Sequence, residues 1–461
     1  MNKQLYIPFI YTGLFFLVLC SSCKKQDDYL DAKPDDALAI PSTLNDVENL
    51  LHNEAVFNQS DPSLGMATCD EYYVPSSAWT TLVETERNAY IFEKDIYNNA
   101  QVNDWNLPYM LIYYANTALD ALNKIPVSDN QQDRYNKVKG IALFYRSYAF
   151  YNLVQTFALP FDSATANADL GIPLRLNSDL NVKSGRSSVQ HCYDQIISDL
   201  KNAVELLPVT SDYKTQPNKV SANALLARIC LAVRNYNDAY NYSNTSLGLN
   251  NVLTDYNTLT ALSSTATRIS TTFLAEDIFH AGMVTHPIVT GVSTPVVDSN
   301  FYALFNDNDL RKSFFFTLRS GAIRFRGSYD IAALRFSGLA NDEIYLIRAE
   351  CQARKGNKDA ALADLNTLLA KRWKTGFFTP VQATSADDAL GKILLERRKE
   401  LCFRGLRWTD IRRLNKEDAF KSTVTHIINN TVYTLPPNDP KYALPIPSNE
   451  IQLSGLVQNS R

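Results

Sequence analysis

Helical periodicity in paired segments is the feature that most limits how this chain can fold. Apolar residues recur at i, i+3, i+4 and i+7 in successive segments, and short polar turns join these segments in pairs. The segments cover residues 104–124, 131–157, 187–207, 219–233, 236–248, 341–355, 358–373, 386–404 and 407–415. The sequence therefore predicts a mostly α-helical protein built from antiparallel helix pairs.

Small residues lie where paired helices are expected to approach closely. They are Ala142 and Ala149, Ala224 and Ala227, Ala349 and Ala353, and Ala360 and Ala363. This pattern resembles that of tetratricopeptide-type repeats, although the spacing between pairs is irregular and does not follow a uniform repeat of about 34 residues.

Long stretches without helical period separate the helical blocks. Residues 60–100, 159–186 and 250–335 are rich in Ser, Thr, Asn, Pro, Gly and aromatic residues. Loops of this length are uncommon in compact domains, and those that occur are usually functional. A helical scaffold that carries such loops suits a binding protein.

The N-terminus has the outline of a secretory signal. Lys3 precedes a mostly apolar stretch, Leu5 to Leu19, which is shorter than the ~20 residues that a membrane-spanning helix needs. Small residues then lead into Cys23, which resembles a bacterial lipobox, where the cysteine is lipidated and begins the mature chain. We therefore predict a lipoprotein signal peptide over residues 1–22, lipidation of Cys23 and a charged tether after it. The alternatives are lipidation of Cys20, an ordinary signal peptide, or a short anchor.

Composition and missing motifs narrow the possible functions. A formal net charge of −3 argues against nucleic-acid binding, which usually needs a basic surface. The cysteines beyond the N-terminal pair have no CxxC spacing and sit among apolar or helical neighbours, so we expect buried free thiols. The chain has no glycine-rich phosphate loop, HExxH or GxSxG, and the spacing of His280 and His286 does not suit a metal pair. We expect no catalytic residues, no metal and no cofactor.

The densest charged segment is ERRKELCFRGLRWTDIRRL, residues 396–414. On a helix, Glu396 and Glu400 fall on one face beside Arg397 and Arg404, which predicts i,i+4 pairing. Two interpretations are open: an anion site, or a helix hairpin held by Arg–Glu pairs around a buried Trp408. Charges of alternating sign are usually a solvated helix face, so the structural interpretation is favoured.

Segments along essentially the whole chain resemble those of the SusD/RagB family of nutrient-binding outer-membrane lipoproteins, in the same order. After the lipoprotein cysteine come DDYLDAKPDD, YYANTALDALNKI, VKGIALFYRSYAFYNLVQTFALPF, LGIPLRL, GRSSVQHCYDQIISDLKNAVELLP, VSANALLARICLAVRNYNDAYNYS, NDEIYLIRAECQARKGNKDAALADLNTLL, ERRKELCFRGLRWTDIRRL and YALPIPSNEIQLSGLVQNS. Cys402 and Arg404 depart from the small residue and the Glu expected there, and Asn99–Asn103 replaces a longer insertion.

The resemblance implies a fold and a role. The fold is mostly α, with about four tetratricopeptide-like helix pairs as a scaffold and an irregular, loop-rich ligand-binding half. A SusD-like domain would span 23–461, with an N-terminal part at about 23–220 and a C-terminal part at about 270–461, folded as one unit. Members face the exterior on the outer membrane, capture oligosaccharides, and deliver them to a TonB-dependent SusC-like transporter; they are not enzymes.

A sugar site needs aromatic faces beside polar side chains, and loops are where such sites are usually found. Two stretches have this mixture, CDEYYVPSSAW over residues 69–79, which has no helical period, and SNFYALFNDNDLRKSFFF over 299–316. In the family, ligand contacts come largely from these two regions. The predicted ligand-binding residues are Asp70, Glu71, Tyr72, Tyr73, Trp79, Tyr302, Asn306, Asp309 and Arg311.

Neighbouring residues of an extended chain point to opposite sides, so we expect one of Tyr72 and Tyr73 in the site. Phe314, Phe315 and Phe316 are expected inside the protein. Two alternative functions stay open: the same architecture binding peptides or another nutrient, and a helical lipoprotein glycosidase with a carboxylate pair in its cleft.

Overall fold

The computed structural model describes residues 41–263, 265–291, 294–331 and 334–461. The predicted signal peptide and Cys23 lie outside the described residues. Residues 42–461 form one compact unit. The division into an N-terminal part ending near residue 220 and a C-terminal part starting near residue 270 stays a prediction.

Helices dominate the described residues, and each predicted helical segment contains one whose ends agree to within four residues. The α-helices are α1 (Leu44–Leu51), α2 (Glu54–Phe57), α3 (Ser76–Trp79), α4 (Glu84–Tyr90), α5 (Asn103–Leu122), α6 (Gln132–Phe157), α7 (Val189–Leu206), α8 (Lys219–Ala232), α9 (Tyr236–Leu249), α10 (Pro287–Thr290), α11 (Ser299–Ala303), α12 (Leu310–Phe315), α13 (Asn341–Arg354), α14 (Lys358–Leu369), α15 (Ala386–Glu400), α16 (Leu406–Leu414) and α17 (Ser448–Ser454).

The long helices form the predicted scaffold by packing largely in chain order. α5 packs on α6, α6 on α7, α8 on α9, α9 on α13, and α13 on both α14 and α15. Nearly all residues of α6 from position 138 onward are buried, as expected for a helix that is enclosed by neighbours rather than half-solvated. Gly140 allows the close approach to the end of α7, since a Cβ there would lie 2.9 Å from Leu207 Cγ.

The predicted close-approach positions are buried in all pairs except one. Ala360 and Ala363 are exposed, so that expectation was wrong. In α14 the buried face instead carries Ala361 and Leu365, because the helix is turned by about one residue from the predicted orientation.

Strands are short and antiparallel, in five two-stranded sheets within the described residues. They are β1 (Tyr72–Tyr73), β2 (Leu170–Pro173), β3 (Arg186–Ser188), β4 (Asp277–Phe279), β5 (Val296–Val297), β6 (Phe316–Arg319), β7 (Ala322–Phe325), β8 (Leu339–Ala340), β9 (Val424–Ile428) and β10 (Thr431–Leu435), paired β1–β5, β2–β3, β4–β8, β6–β7 and β9–β10. The β9–β10 hairpin turns at Asn429 and Asn430, whose φ angles of 49° and 64° suit asparagine in a two-residue turn.

The predicted loop over residues 60–100 is only partly irregular. It holds the 3₁₀ helix Leu64–Thr68 and the short helices α3 and α4. Helices of one or two turns show too little periodicity to be read from the sequence, which is why this stretch was predicted to be non-helical.

His286 connects the start of α5 to the chain before α10. Its Nε2 lies 2.5 Å from Asp104 Oδ2, and its Nδ1 lies 3.5 Å from Glu86 Oε1. Burial opposes a charge on His286, but Asp104 and then Glu86 outweigh it and raise its pKa to about 10. The contact is therefore an ion pair over most of the pH range.

Candidate functional site

The two stretches predicted to bind ligand are brought together by a strand pair. Tyr72 lies opposite Val297 and Tyr73 opposite Val296 in the β1–β5 ladder. Just beyond it, the Asp298 amide donates to the Glu71 carbonyl oxygen over 3.1 Å. Residues 69–79 and 296–311 thus form neighbouring parts of one surface.

Tyr72 and Tyr73 point to opposite sides of β1, as predicted. Tyr72 is buried, its hydroxyl donates to the Met66 carbonyl oxygen over 3.2 Å, and its ring centre lies 5.8 Å from that of Phe403. Tyr73 is 48% exposed. Of the two, Tyr73 is the side chain that the structure presents to solvent, while a ligand-binding role for either stays a prediction.

Asp70 is held by two arginines from the far end of the chain. Its carboxylate accepts from Arg407 Nε and Nη2 over 2.6 and 2.7 Å, and from Arg398 Nη2 over 3.1 Å. Burial opposes the charge on Asp70, but Arg407 and Arg398 outweigh it and lower the pKa to about 2. Asp70 is thus a half-buried anion whose oxygens already accept from these cations.

Glu71 is fully buried beside that pair. Both of its carboxylate oxygens accept from the Phe403 amide over 3.2 Å. Burial, followed by the neighbouring Asp70 charge, raises the pKa of Glu71 to about 8. Glu71 is therefore protonated at neutral pH, and it faces the interior.

Trp79 ends the one-turn helix α3 that follows Pro75, so the predicted non-helical character of 69–79 was wrong for its last residues. The side chain is half-buried. Its Nε1 donates to the Arg87 carbonyl oxygen over 3.3 Å, and the Arg87 guanidinium lies 5.9 Å from its ring centre. One face of Trp79 thus packs on the protein, and part of the ring reaches solvent.

Tyr302 and Asn306 are the accessible members of the second stretch. Tyr302 is half-buried, with Lys312 Nζ 5.0 Å from its ring centre and its ring edge-on to Phe316 at 5.5 Å. Asn306 is exposed, and its Oδ1 accepts from the Asn308 amide over 2.9 Å. The buried positions of Phe314, Phe315 and Phe316 confirm that expectation.

Asp309 and Arg311 are buried within an ionic network. Arg311 donates to both Asp309 oxygens, over 2.9 and 2.7 Å, and to Glu396 and Glu400 over 2.7 and 2.9 Å. Burial opposes the charge on Arg311, but these carboxylates outweigh it and raise its pKa. All of these contacts are internal to the protein, and a ligand-binding role for Asp309 or Arg311 stays a prediction.

The charged segment 396–414 is structural, and Trp408 is buried in it, as the favoured interpretation held. The predicted i,i+4 pairs are wrong. α15 ends at Glu400, because Phe403 and Gly405 adopt left-handed φ angles of 58° and 79°, and Arg404 instead donates to Asp342 over 2.6 Å. The arginines are buried rather than solvated, because their partners lie on other elements that cover them.

Cations around the aromatic residues were missed by sequence reasoning. Arg324 in β7 donates to the Pro295 carbonyl oxygen over 2.8 Å and lies close enough to Tyr73 for their charges to interact. Arg87 and Lys312 stand over Trp79 and Tyr302. The only local signal was that Arg87 and Lys312 fall eight and ten positions after the aromatic residues that they contact.

Exposed rings flanked by guanidinium, ammonium and amide groups can stack on a ligand and donate hydrogen bonds to it. Among the residues that the structure describes, no group of three or more His, Cys, Asp or Glu is placed to hold a metal ion. A search of the same residues finds no helix that is both long and apolar enough to span a membrane. Their five cysteines are free and buried, which confirms the expectation for the thiols.

Two family models match this sequence. One, described as starch-binding and associating with the outer membrane, matches residues 28–231, and a model of the SusD family matches residues 326–461. Together these ranges include most of the chain. The SusD-like protein P2 of Formosa agariphila is 25% identical over 373 residues, which are 67% of this chain and 71% of that protein.

Solved structures share the fold over nearly the full length. A putative sugar binding protein from Bacteroides vulgatus superposes with a TM-score of 0.72 at 23% identity, covering 91% of this chain and 99% of the other. A SusD-like carbohydrate binding protein from the same species has a TM-score of 0.67 at 23% identity, covering 90% and 97%. A SusD superfamily protein from Bacteroides thetaiotaomicron has a TM-score of 0.69 at 21% identity, covering 91% and 100%. These likenesses agree with a mostly helical, tetratricopeptide-like scaffold.

Proposed function

The chain belongs to the SusD/RagB family, and we propose from this that it is a nutrient-binding lipoprotein on the outer face of the outer membrane. In this proposal Cys23 carries the lipid anchor. The protein captures oligosaccharides and delivers them to a SusC-like TonB-dependent transporter, without catalysis and without a cofactor.

The observation that carries the proposal is the exposed ring of Tyr73 beside the half-buried rings of Trp79 and Tyr302. The β1–β5 ladder places their two segments side by side. Aromatic faces of this kind stack on the CH surfaces of sugars, and the nearby Arg324 and Asn306 can bond hydroxyl groups. The descriptions of the matching family model and of the related sugar-binding proteins support this ligand class.

We propose Tyr73, Trp79, Tyr302 and Asn306 as the ligand-contacting residues. The buried Glu71, Tyr72, Asp309 and Arg311 support the surface from below, and Asp70 fixes residues 69–79 against α15 and α16.

Calorimetry tests the proposal. The full chain, purified in a detergent without a sugar headgroup, is titrated with maltohexaose, cellohexaose, mannohexaose, xylohexaose and a panel of short peptides. We expect saturable binding of at least one oligosaccharide, with an affinity at least about tenfold weaker in Tyr73→Ala and Trp79→Ala, a loss of ~1.4 kcal/mol. Phe377→Ala is the matched control, because that ring is 57% exposed and lies outside both stretches.

Binding of peptides alone would refute the sugar assignment and favour the peptide alternative. The glycosidase alternative draws on one observation: the neighbouring carboxyls of Asp70 and Glu71 have pKa values of about 2 and about 8, and widely separated values occur in acid–base pairs. Burial of Glu71 argues against it. Release of new reducing ends from any oligosaccharide of the panel would contradict the non-catalytic role.

The anchor and the transporter have separate tests. Cys23→Ala is expected to move the protein from the membrane fraction to the soluble fraction. Copurification of a TonB-dependent transporter with the wild-type protein from its native membrane is the expected outcome for the partnership, and its absence under conditions that retain other outer-membrane complexes would contradict it.

A further inference from the structure

A second concave surface lies on the scaffold, away from the residues considered so far. It is a cavity of about 590 Å³ between α5, the loop after β2, and α17. Pockets that bind small ligands usually measure ~300–1,000 Å³. None of its lining residues belongs to residues 69–79 or 296–311.

One wall of the cavity is an aromatic stripe on α5. Trp105, Tyr109 and Tyr113 occur at i, i+4 and i+8, so they share one helix face. Trp105 is buried with its ring centre 4.8 Å from that of Tyr109, whose hydroxyl donates to the Pro173 carbonyl oxygen over 2.9 Å. Tyr113 is half-buried, and its hydroxyl has no hydrogen-bond partner among the described residues.

The opposite wall, residues 174–184, is held in place by side chains of α5. The buried Asn116 donates through Nδ2 to the carbonyl oxygens of Arg175 and Asn177, over 2.8 and 3.2 Å. Asp120 Oδ2 accepts from the Ser178 amide and hydroxyl over 2.8 and 2.7 Å. A loop fixed in this way is ordered before a ligand arrives, which lowers the entropic cost of binding.

The polar groups that line the cavity are mixed in sign and open to a ligand. Glu450 of α17 and Lys183 of the loop form no salt bridge or side-chain hydrogen bond in the part of the chain that the structure describes, and neither does the Asn106 amide. Arg175 uses Nη2 to donate to the Asp179 carbonyl oxygen over 2.7 Å. Such a lining offers both donors and acceptors, as hydroxyl-rich ligands require.

The rim adds apolar surface. Leu180 and Leu453 are 73% and 81% exposed on the two sides of the cavity. A peptide that bound as an added strand would need an exposed sheet edge, whereas the walls here are two helices and a loop. Aromatic faces, apolar rim and neutral hydrogen-bonding groups fit the alternating CH and hydroxyl surfaces of a sugar better.

We propose that this cavity is a second glycan-binding site, which takes a short segment of a neutral oligosaccharide. Tyr113 stacks on a sugar ring, and Glu450 and Asn106 bond its hydroxyl groups. The site does not depend on the surface around Tyr73.

Amide hydrogen exchange tests this site by its location. The full chain, in a detergent without a sugar headgroup, is saturated with maltohexaose, cellohexaose, mannohexaose or xylohexaose, and exchange is followed for residues 174–184 and 448–454. We expect slower exchange in both segments with at least one of these probes. Tyr113→Ala and Glu450→Gln should each weaken that protection about tenfold in probe concentration, whereas Phe377→Ala should match the wild type.

The two sugar sites are distinguished by the crossed variants. Protection of residues 69–79 alone, unchanged in Tyr113→Ala, would overturn the second site and leave the proposed function in place. Protection of 174–184 that is lost in Tyr113→Ala and kept in Tyr73→Ala would support the second site whatever happens at the first. Protection of 174–184 by peptides only, or by none of the oligosaccharides, would overturn the proposal.

Discussion

Replacing Arg372 with methionine tests whether the buried ionic network is essential to stability. Arg372 is fully buried and donates to Glu400 over 2.7 Å, to both oxygens of Glu276 over 3.0 Å, and to the Thr254 carbonyl oxygen over 2.8 Å. Its guanidinium also lies 4.2 Å from the ring centre of Tyr256. Methionine keeps much of the volume and removes every one of these donors.

The expected cost follows from what is left behind. Two buried carboxylates lose a charged donor, at ~1.5–3 kcal/mol each, and one carbonyl loses a neutral hydrogen bond, at ~1 kcal/mol. Glu400 keeps Arg311, and Glu276 keeps the Tyr329 hydroxyl at 2.7 Å, which limits the loss. We expect the free energy of unfolding to fall by ~3–5 kcal/mol, the usual cost of removing one partner of a buried ion pair.

The assay is urea denaturation of the wild type and the variant at pH 7, comparing midpoints at a common slope. Arg134→Met is the matched control, because Arg134 makes a similar two-bond pair with Glu48 while its side chain is 42% exposed. Exposed pairs contribute only ~0–1 kcal/mol. A loss for Arg372→Met as small as that of the control would refute the reasoning that burial makes this network indispensable.

Three further substitutions test groups with unusual environments. The pKa of Glu71 is raised from its usual 4.5 to about 8, so its contribution to stability is fully present below pH 4.5 and is lost as the pH rises towards 8; Glu71→Gln should flatten the urea midpoint over that window. The pKa of His286 is raised from 6.5 to about 10, so its contribution is fully present below pH 6.5 and is lost as the pH rises towards 10; His286→Gln should be most destabilising at the acidic end, and an unchanged profile would contradict the ion pair. Gly338→Ala puts a Cβ 2.0 Å from the Phe279 carbonyl oxygen and should lower thermal stability by ~1–3 kcal/mol, whereas Gly391→Ala, with no atom within 4 Å, should raise it by ~0.5–1 kcal/mol; equal effects would contradict this assignment.

The long helices could be predicted because their signal is local. α6 carries apolar residues over many turns, so period and length both indicated a helix. α1 was missed although Thr43 and Asp46 form a capping box that marks its start. The end of α15 was placed four residues late, because the left-handed conformation at Phe403 depends on packing that no neighbouring residue encodes.

The candidate site was predictable only where alternation along the chain decides the outcome. The opposite orientations of Tyr72 and Tyr73 follow from the geometry of any strand. Burial of Arg311 does not, because Glu396 and Glu400, which satisfy it, come 85 and 89 positions later. The cavity beside α5 was missed for a similar reason: the spacing of Tyr109 and Tyr113 is also that of an ordinary core face, and only the loop at 174–184 distinguishes the two.

The clamp on Asp70 has a consequence for the order in which the protein folds. Asp70 is separated from Arg398 and Arg407 by 328 and 337 positions, and Glu71 from the Phe403 amide by 332. Contacts between such distant residues form slowly, because a long loop must close first. A chain that crosses a membrane N-terminus first would carry residues 69–79 without their partners until nearly all of it had emerged. The aromatic surface would then be among the last parts of the molecule to form, and a chain truncated before α15 would have the early helices of the scaffold but no fixed surface at Tyr73.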